Sequence, residues 1–298
     1  MQSDAIHLAF CFDRNAWMQC GVSMTSLLET DKKSEYAIHL VCPPGFWRDV
    51  LIEDMSKYKN ATLEFHTPVE KDFENAHTLR YWSKAMFWRL QLGNLLKNLD
   101  YVIYADNDIL FNDSLRPLWS DVIKHKGTEL IWGVKDNINC PSFQKWFQEE
   151  IINHIRKNHM MLSYVNSGFL VMNLAQIRKD KLYGLWKDTA NRPRFFPDQD
   201  ILNMTCFKRI KFLPFKYNVT NDVATCEEIV ADYLKFGLFT EKEICDKPVV
   251  LHAVGSNKPW KTRREFQLID YLFWKYAKLT SYYGILFQDY LKCDYVPE

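Results

Sequence analysis

Continuous apolar runs alternate along the chain with stretches whose apolar positions recur every three or four residues. Residues 6–12 (Ile-His-Leu-Ala-Phe-Cys-Phe) form a short apolar run and read as a buried first strand. The polar Asp13-Arg14-Asn15 turn follows, with Asp13 or Asn15 available to cap what comes next. Between residues 17 and 28, Val22, Met24, Leu27 and Leu28 fall at helical spacing. Residues 36–42 read as a second strand closed by Pro43-Pro44-Gly45, 46–58 as an amphipathic helix and 62–66 as a third strand. This β-α-β-α-β order predicts an α/β fold whose sheet begins parallel and doubly wound, with crossover helices.

Residues 83–96 read as one helix with Met86, Phe87, Leu90, Leu92 and Leu95 available to the core. Residues 101–110 (Tyr-Val-Ile-Tyr-Ala-Asp-Asn-Asp-Ile-Leu) read as a strand that carries two acids near its end. Beyond it the pattern predicts a short helix opening at 115–119, a strand at 130–134 and a charged helix at 143–159. Residues 164–174 read as a strand pair, or as one strand kinked at Gly168. A basic helix over 175–190, a helix starting after Pro197, an extended segment over 212–219 and a late strand at 249–252 follow. The tail, 266–291, is helical and aromatic. No repeat or low-complexity linker divides the chain, so it reads as one continuous domain, 1–262, with a helical appendage, 263–298.

Composition narrows the classes. A chain of 298 residues with 47% hydrophobic and 25% charged residues can bury a substantial core. The formal net charge of +1 gives no field that would draw nucleic acid or a membrane surface, so no nucleic-acid partner is expected. Ten tryptophans supply either stacking faces for sugars or bulk for a core, and the core is the simpler reading. The eight cysteines form no Cys-x-x-Cys pair, which argues against a zinc ribbon. Cys11 and Cys42, at strand ends, read as small hydrophobes. With no leader-like segment or long apolar span, the expectation is a cytoplasmic protein with free thiols.

The candidate chemistry starts at Asp106 and Asp108. Desolvating an unpaired carboxylate is costly, so these acids must be wet, paired with cations or bound to metal. Residues two apart on a strand share a face, so both could reach one hard cation, as ligands usually do at the carboxyl ends of strands in open α/β sheets. The plainer alternative is two solvated acids at a strand end. His252 ends an apolar strand and leads into Gly255, Lys258, Pro259 and Trp260. It reads as a hydrogen-bonded core histidine or as a ligand, and imidazole suits Mn²⁺ better than Mg²⁺. Gly255 would admit close backbone approach and Lys258 a phosphate, so the stretch makes a plausible diphosphate clamp. Asn166-Ser167-Gly168 and Asp198-Gln199-Asp200 read either as turns and caps, with Asp198 a good N-cap, or as hydroxyl-recognising groups for a sugar.

Taken together and in order, these pieces resemble glycosyltransferase family 8, retaining enzymes that include bacterial lipopolysaccharide galactosyl- and glucosyltransferases. The resemblance runs from the first strand with Asp13 and Asn15, through Arg89 in Phe-Trp-Arg-Leu and Asp106-Asn107-Asp108, to Asn166-Ser167-Gly168. It continues through Asp198-Gln199-Asp200-Ile-Leu-Asn203 and His252-x-x-Gly255-x-x-Lys258-Pro259-Trp260. It covers about residues 5–262. It implies a GT-A type nucleotide-binding mixed sheet flanked by helices, a UDP-sugar donor and a metal ion, Mn²⁺ or Mg²⁺, held by Asp106, Asp108 and His252. It implies Lys258 and the Gly255 loop on the diphosphate, and Asp13 and Asn15 at the uridine. Arg89, Asp106, Asn166, Ser167, Asp198 and Gln199 are implied around the donor sugar. Arg14 and Ala16 stand where some relatives carry an acid and an aromatic ring, which puts base stacking there in doubt. Ser167 replaces an alanine common in relatives.

The chemistry implied is transfer of glucose or galactose with retained configuration. Charge developing on UDP would be stabilised by the metal, Lys258 and backbone N–H groups. Gln199, a neutral amide, is a poor nucleophile; Asp198 is better suited to attack or to hydroxyl positioning, and front-face attack by the acceptor is favoured. Two other classes compete: a metal-dependent phosphotransferase, which would want Ser or Thr near its acids where Ile109-Leu110 stand, and a non-catalytic nucleotide-sugar or glycan-binding protein. The acceptor is expected to be a glycan or lipid-linked saccharide. The aromatic tail reads as a helix covering the core in preference to a peripheral membrane contact, because its sparse basic residues give no strong electrostatic pull.

Overall fold

The computed structural model describes residues 5–78, 83–136, 138, 153, 164–221, 227–263 and 267–293. The charged helix expected over 143–159 lies outside the described residues, apart from residue 153. Ten strands are described: β1 (Ile6–Cys11), β2 (Tyr36–Val41), β3 (Ala61–His66), β4 (Tyr101–Ala105), β5 (Ile109–Phe111), β6 (Ile131–Lys135), β7 (Val165–Asn173), β8 (Ile210–Phe212), β9 (Val219–Thr220) and β10 (Val250–His252).

Seven of them form one sheet in the order β3-β2-β1-β4-β7-β6-β8. β1 to β4 run parallel, as the alternation of apolar runs and helical stretches predicts. β7 is antiparallel to both β4 and β6, which makes the sheet mixed. Both faces of β1, β2 and β4 are covered, so these strands are apolar at most positions, whereas the edge strand β3 alternates toward solvent. Ile6, Leu8 and Phe10 face the larger core, which includes the buried side of helix Trp17–Thr30. Ala9 and Cys11 face a second core with Phe87 and Leu90. β5, β10 and β9 form a separate small sheet, with β10 antiparallel to β5 and parallel to β9.

Several elements differ from the sequence expectation, each for a local reason. The expected acidic strand over 101–110 is two strands of two sheets: β4 ends at Ala105, Asp106-Asn107-Asp108 turns, and β5 begins at Ile109. Segment 83–96 is a 3-10 helix, Lys84–Gln91, followed by a four-residue α-helix, Leu92–Leu95. Arg89 Nε donates to the Met86 carbonyl three residues back at 2.9 Å, which holds that tighter winding. The helix expected over 175–190 is broken into Leu174–Lys179 and Leu182–Ala190 at Lys181, whose φ is 55°. The extended 212–219 segment is interrupted by a 3-10 turn, Phe215–Tyr217, that buries both aromatic rings.

The caps also differ. Neither Asp13 nor Asn15 caps helix Trp17–Thr30; the cap position is Ala16, and Asp13 Oδ1 accepts from the Asn15 N–H at 2.8 Å in a local turn. Asp198 is not an N-cap either. Pro197 takes the first helical position of Pro197–Thr205, and the residue before it, Phe196, supplies no side-chain cap.

The tail forms two helices, Leu268–Ala277 and Tyr283–Leu291. Ile269, Leu272, Phe273 and Tyr276 of the first are buried in the larger core, where the helix packs on Trp17–Thr30. Cys11, Cys20, Cys42, Cys206, Cys245 and Cys293 are free thiols, and the first four are buried. Among the described residues, no helix is long and apolar enough to cross a membrane.

Candidate active site

The turn between the two sheets places the acids. The Asp106 N–H donates to the Gly168 carbonyl at 2.8 Å, which continues the β4–β7 ladder by one step. Asn107 Nδ2 reaches across to the Cys11 carbonyl at the end of β1 at 2.9 Å and ties the turn to the neighbouring strand. Asp108 accepts the Ala253 N–H through its own carbonyl at 3.0 Å, which belongs to the small sheet's side. The two carboxylates therefore converge although they start from different sheets. Their nearest oxygens and His252 lie within 4.8 Å of one another.

Asp106 and Asp108 have different neighbours. Arg89 Nη2 donates to Asp106 Oδ1 at 2.7 Å, and the buried Tyr104 hydroxyl donates to the same oxygen. Burial pushes the Asp106 carboxyl upward against the pull of Arg89, and the Asp108 charge adds to the push. Burial would push Asp108 upward as well, but the Lys258 ammonium holds its carboxyl well below the usual range. Lys258 Nζ donates to Asp108 Oδ2 and also to the Ala253 carbonyl. The sequence places Lys258 on the diphosphate; here its ammonium sits on one of the two aspartates.

Arg89 joins three elements. Besides Asp106 it pairs through Nε with Asp198 Oδ2 at 3.1 Å, and Nη1 donates to the Ser167 carbonyl at 2.8 Å and to Ser167 Oγ at 3.2 Å. The guanidinium stacks 4.4 Å from the centre of the Tyr104 ring. Burial alone would lower its pKa, but the Asp106 and Asp198 charges outweigh burial and raise it. The Ser167 hydroxyl donates to Asp198 Oδ2 at 3.2 Å, and the Ser167 N–H donates to Gln199 Oε1 at 2.8 Å.

These bonds exist because β7 bulges. Gly133 pairs with Leu170, but two residues on, Lys135 pairs with Val165, so β7 carries three extra residues here. The bulge frees Asn166-Ser167-Gly168 from the β6 ladder and turns their polar groups toward the site, a common use of a bulge. The expected kink at Gly168 is this bulge within one continuous strand. Gly168 has a second reason to be glycine: a Cβ there would lie 2.1 Å from His252 Cε1.

The His252 ring is oriented from behind. Its Nδ1 lies 3.0 Å from Asn218 Oδ1, an acceptor, so Nδ1 carries the proton and Nε2 presents a lone pair. That lone pair points at Asp108 Oδ1, 3.1 Å away, a buried oxygen with no hydrogen-bond donor among the described residues. Two facing acceptors with an orphaned oxygen fit a bound cation, and a mixed imidazole and carboxylate set suits Mn²⁺.

The sequence-selected residues mostly meet. Arg89, Asp106, Asn166, Ser167, Asp198, Gln199 and His252 are linked by hydrogen bonds through Asp136 and Asn218, and the Asp108–Lys258 pair faces His252. Asp13 and Asn15 sit at the end of β1, bonded to each other. Gly255 has φ 74° with open space around a would-be Cβ, so its left-handed backbone, rather than close approach, requires glycine. Three members were not picked out in advance. Tyr104 holds Asp106. Asn218 links His252 to Asn166, donating to Asn166 Oδ1 at 2.9 Å. Asp136 accepts from Asn166 Nδ2 at 2.8 Å and Gln199 Nε2 at 3.3 Å. Asp136 carried the signal that flagged Asp106, an acid just after an apolar strand.

A family model described as Glycosyl transferase family 8 matches residues 7–264. The chain belongs to glycosyltransferase family 8. It is 23% identical over 279 residues to a lipopolysaccharide 1,2-glucosyltransferase of Escherichia coli, covering 91% of this chain and 77% of the relative. Against a lipopolysaccharide 1,3-galactosyltransferase of Salmonella typhimurium it is 22% identical over 282 residues, covering 90% and 77%. Among solved structures it is similar to the galactosyltransferase LgtC in complex with donor and acceptor sugar analogs, with TM-score 0.70, 20% identity and 98% of each chain covered. This family 8 chain therefore has the GT-A fold, and its activity class is glycosyl transfer.

Proposed function

We propose that the chain is a retaining transferase that moves glucose or galactose from a UDP-sugar to a glycan or lipopolysaccharide-type acceptor, with residues 1–262 as the GT-A domain and 263–298 as its helical tail. The observation that carries this reading is the convergence of Asp108 Oδ1 and His252 Nε2, both without a donor between them, beside Asp106 and the Lys258 ammonium. Asp106, Asp108 and His252 would hold the ion, Mn²⁺ by its ligand set. When bound, the ion supplies a Lewis acid that neutralises charge on the diphosphate leaving group.

The remaining work belongs to the chain's own groups. Lys258 releases Asp108 and places its ammonium on the leaving phosphates as negative charge develops there. Asp13 and Asn15, at the end of β1, meet the nucleoside. Arg89 fixes Asp106, Asp198 and Ser167, so the donor hexose meets a wall whose donors and acceptors are already in place. Asp198 Oδ2 is shared by Arg89 and the Ser167 hydroxyl, which makes it less nucleophilic and suits it to orienting a sugar hydroxyl. Gln199 spends its carbonyl on the Ser167 N–H and turns its amide toward Asp136. This arrangement favours front-face attack by the acceptor hydroxyl, with the departing phosphate taking its proton.

The test is UDP release from UDP-glucose and UDP-galactose in the presence of Mn²⁺ and of Mg²⁺. Release is expected with one of these donors and Mn²⁺, and Asp108→Asn is expected to lose it by at least about 10²–10³-fold. Full activity in Asp108→Asn would overturn the metal assignment, and release from neither donor would overturn the donor class.

A further inference from the structure

A second group of metal-ligating side chains lies outside the site described above, on one face of β1, β2 and β3. Three parallel strands in regular register bring it together. His39 on β2 stands opposite Glu64 on β3, and Val41 opposite His66, so Glu64 and His66, two apart on β3, share the face that His39 occupies. His39 also stands opposite Ala9 on β1, and the alternation along β1 brings His7 to the same face. The three ligand atoms converge. His39 Nδ1 lies 3.2 Å from His66 Nε2 and 3.4 Å from Glu64 Oε2, and His66 Nε2 lies 4.0 Å from the same oxygen.

The two shorter separations lie close to the edges of a tetrahedron around a zinc-sized ion, and the 4.0 Å one closes by a small rotation of the exposed Glu64 side chain. With bonds of about 2.0–2.2 Å, neighbouring ligands stand roughly 3.3–3.6 Å apart. The ring behind His39 completes the pattern. His39 Nε2 lies 3.0 Å from His7 Nδ1, and the two rings stack with centroids 5.3 Å apart. A histidine that binds metal through one nitrogen characteristically has its other nitrogen fixed by a hydrogen bond, and His7 supplies that bond. The carboxylate is accessible, since the Glu64 side chain is 54% exposed, so a fourth ligand can come from solvent. Arg48 is engaged by the Cys42 carbonyl and the Thr67 hydroxyl, and Glu64 supplies a negative charge at the site.

We propose that His39, His66 and Glu64 form a second metal site for a borderline divalent ion of the zinc class, with His7 as the residue that positions the His39 ring. Two imidazoles and one carboxylate select such an ion over Mg²⁺ or Ca²⁺, which prefer all-oxygen sets. β3 is the edge strand of the large sheet, so an ion here ties an otherwise one-sided strand to β2. The site is independent of the transferase reading, because none of its residues belongs to the Arg89 and Asp108 network.

The test uses chelator-stripped full-length protein and Zn²⁺ as the probe, in an Asp108→Asn background that disables the first site. One equivalent of Zn²⁺ is expected to bind in calorimetry, and Co²⁺ in its place is expected to give a tetrahedral visible spectrum. His66→Gln and, separately, the exposed Glu64→Gln are each expected to abolish that equivalent while the far-ultraviolet spectrum stays unchanged. His7→Leu is expected to weaken binding about 10–100-fold without removing it. No binding in the Asp108→Asn background, or unchanged affinity in His66→Gln or Glu64→Gln, would overturn the proposal.

Discussion

The two walls of the active site are held by two cations, and they are built differently. Arg89 is 5% exposed at its side chain and bonds to groups from four segments: the Met86 carbonyl, Asp106, Ser167 and Asp198. A planar guanidinium with several fixed donors suits that task. Lys258 is 18% exposed, comes from a loop, and bonds to Asp108 and the Ala253 carbonyl. A flexible ammonium can leave those partners for a phosphate at modest cost. One wall is thus an organised frame, and the other is a contact that a ligand can replace. Charge alone does not separate the two roles; burial and the number of fixed partners do.

The largest expected effect tests the frame. Arg89→Met leaves Asp106 and Asp198 without their shared cation, and we expect about 3–5 kcal/mol lower stability in denaturant unfolding. A variant as stable as the wild type would show that the frame is not structural. Lys258→Ala tests the other wall: we expect a kcat loss of roughly 10²–10³-fold with the melting temperature nearly unchanged. If Lys258→Ala destabilised the protein as much as Arg89→Met, the distinction between the walls would fail.

Smaller effects sharpen the comparison. Asn218→Ala removes the acceptor behind His252 while leaving all three proposed ligands, and we expect Mn²⁺ affinity to fall about 10–100-fold, read by titration of activity against free metal. An unchanged affinity would show that the His252 ring needs no such support. A carboxylate outside both walls gives a reference. Burial would raise the pKa of Asp31, but hydrogen bonds from Ser114, Ser34 and Tyr36 bring it down to about 2. Its contribution to stability is therefore present above the unfolded carboxylate value of about 4 and is lost as pH falls toward 2. Ser114→Ala should make the acid limb of the stability profile shallower without touching activity, and an unaltered limb would show that this bond does not set it.

Much of the frame could be read from the chain because it depends on local pattern. The apolar runs of β1, β2 and β4 mark buried strands, and the helical stretches between them mark the parallel crossovers. Asp106, Asp108 and His252 stood out because a charged or ligating residue at the end of an apolar strand needs an explanation, and Lys258 because a lysine follows in the Gly255 loop. What stayed hidden depends on partners distant in sequence. Nothing near Asn218 shows that it will face His252, and Tyr104 looks like any aromatic residue in a buried strand. The bulge in β7 follows from its pairing with β6 and has no signature beyond Gly168. The split after Ala105 was missed because Ile109-Leu110 continues the apolar run although it belongs to another sheet. His39, Glu64 and His66 look like scattered strand residues until the register aligns them.

That split has a mechanical consequence. Asp106 follows the last strand residue of the large sheet, whereas Asp108 precedes Ile109, whose partner in the small sheet is His252. A three-residue turn is the covalent link between them. Any sliding of the small sheet changes the distance between the carboxylates before it breaks either sheet. An ion that needs both acids therefore acts as a gauge of the seam, and its concentration becomes a variable in the equilibrium that opens the seam.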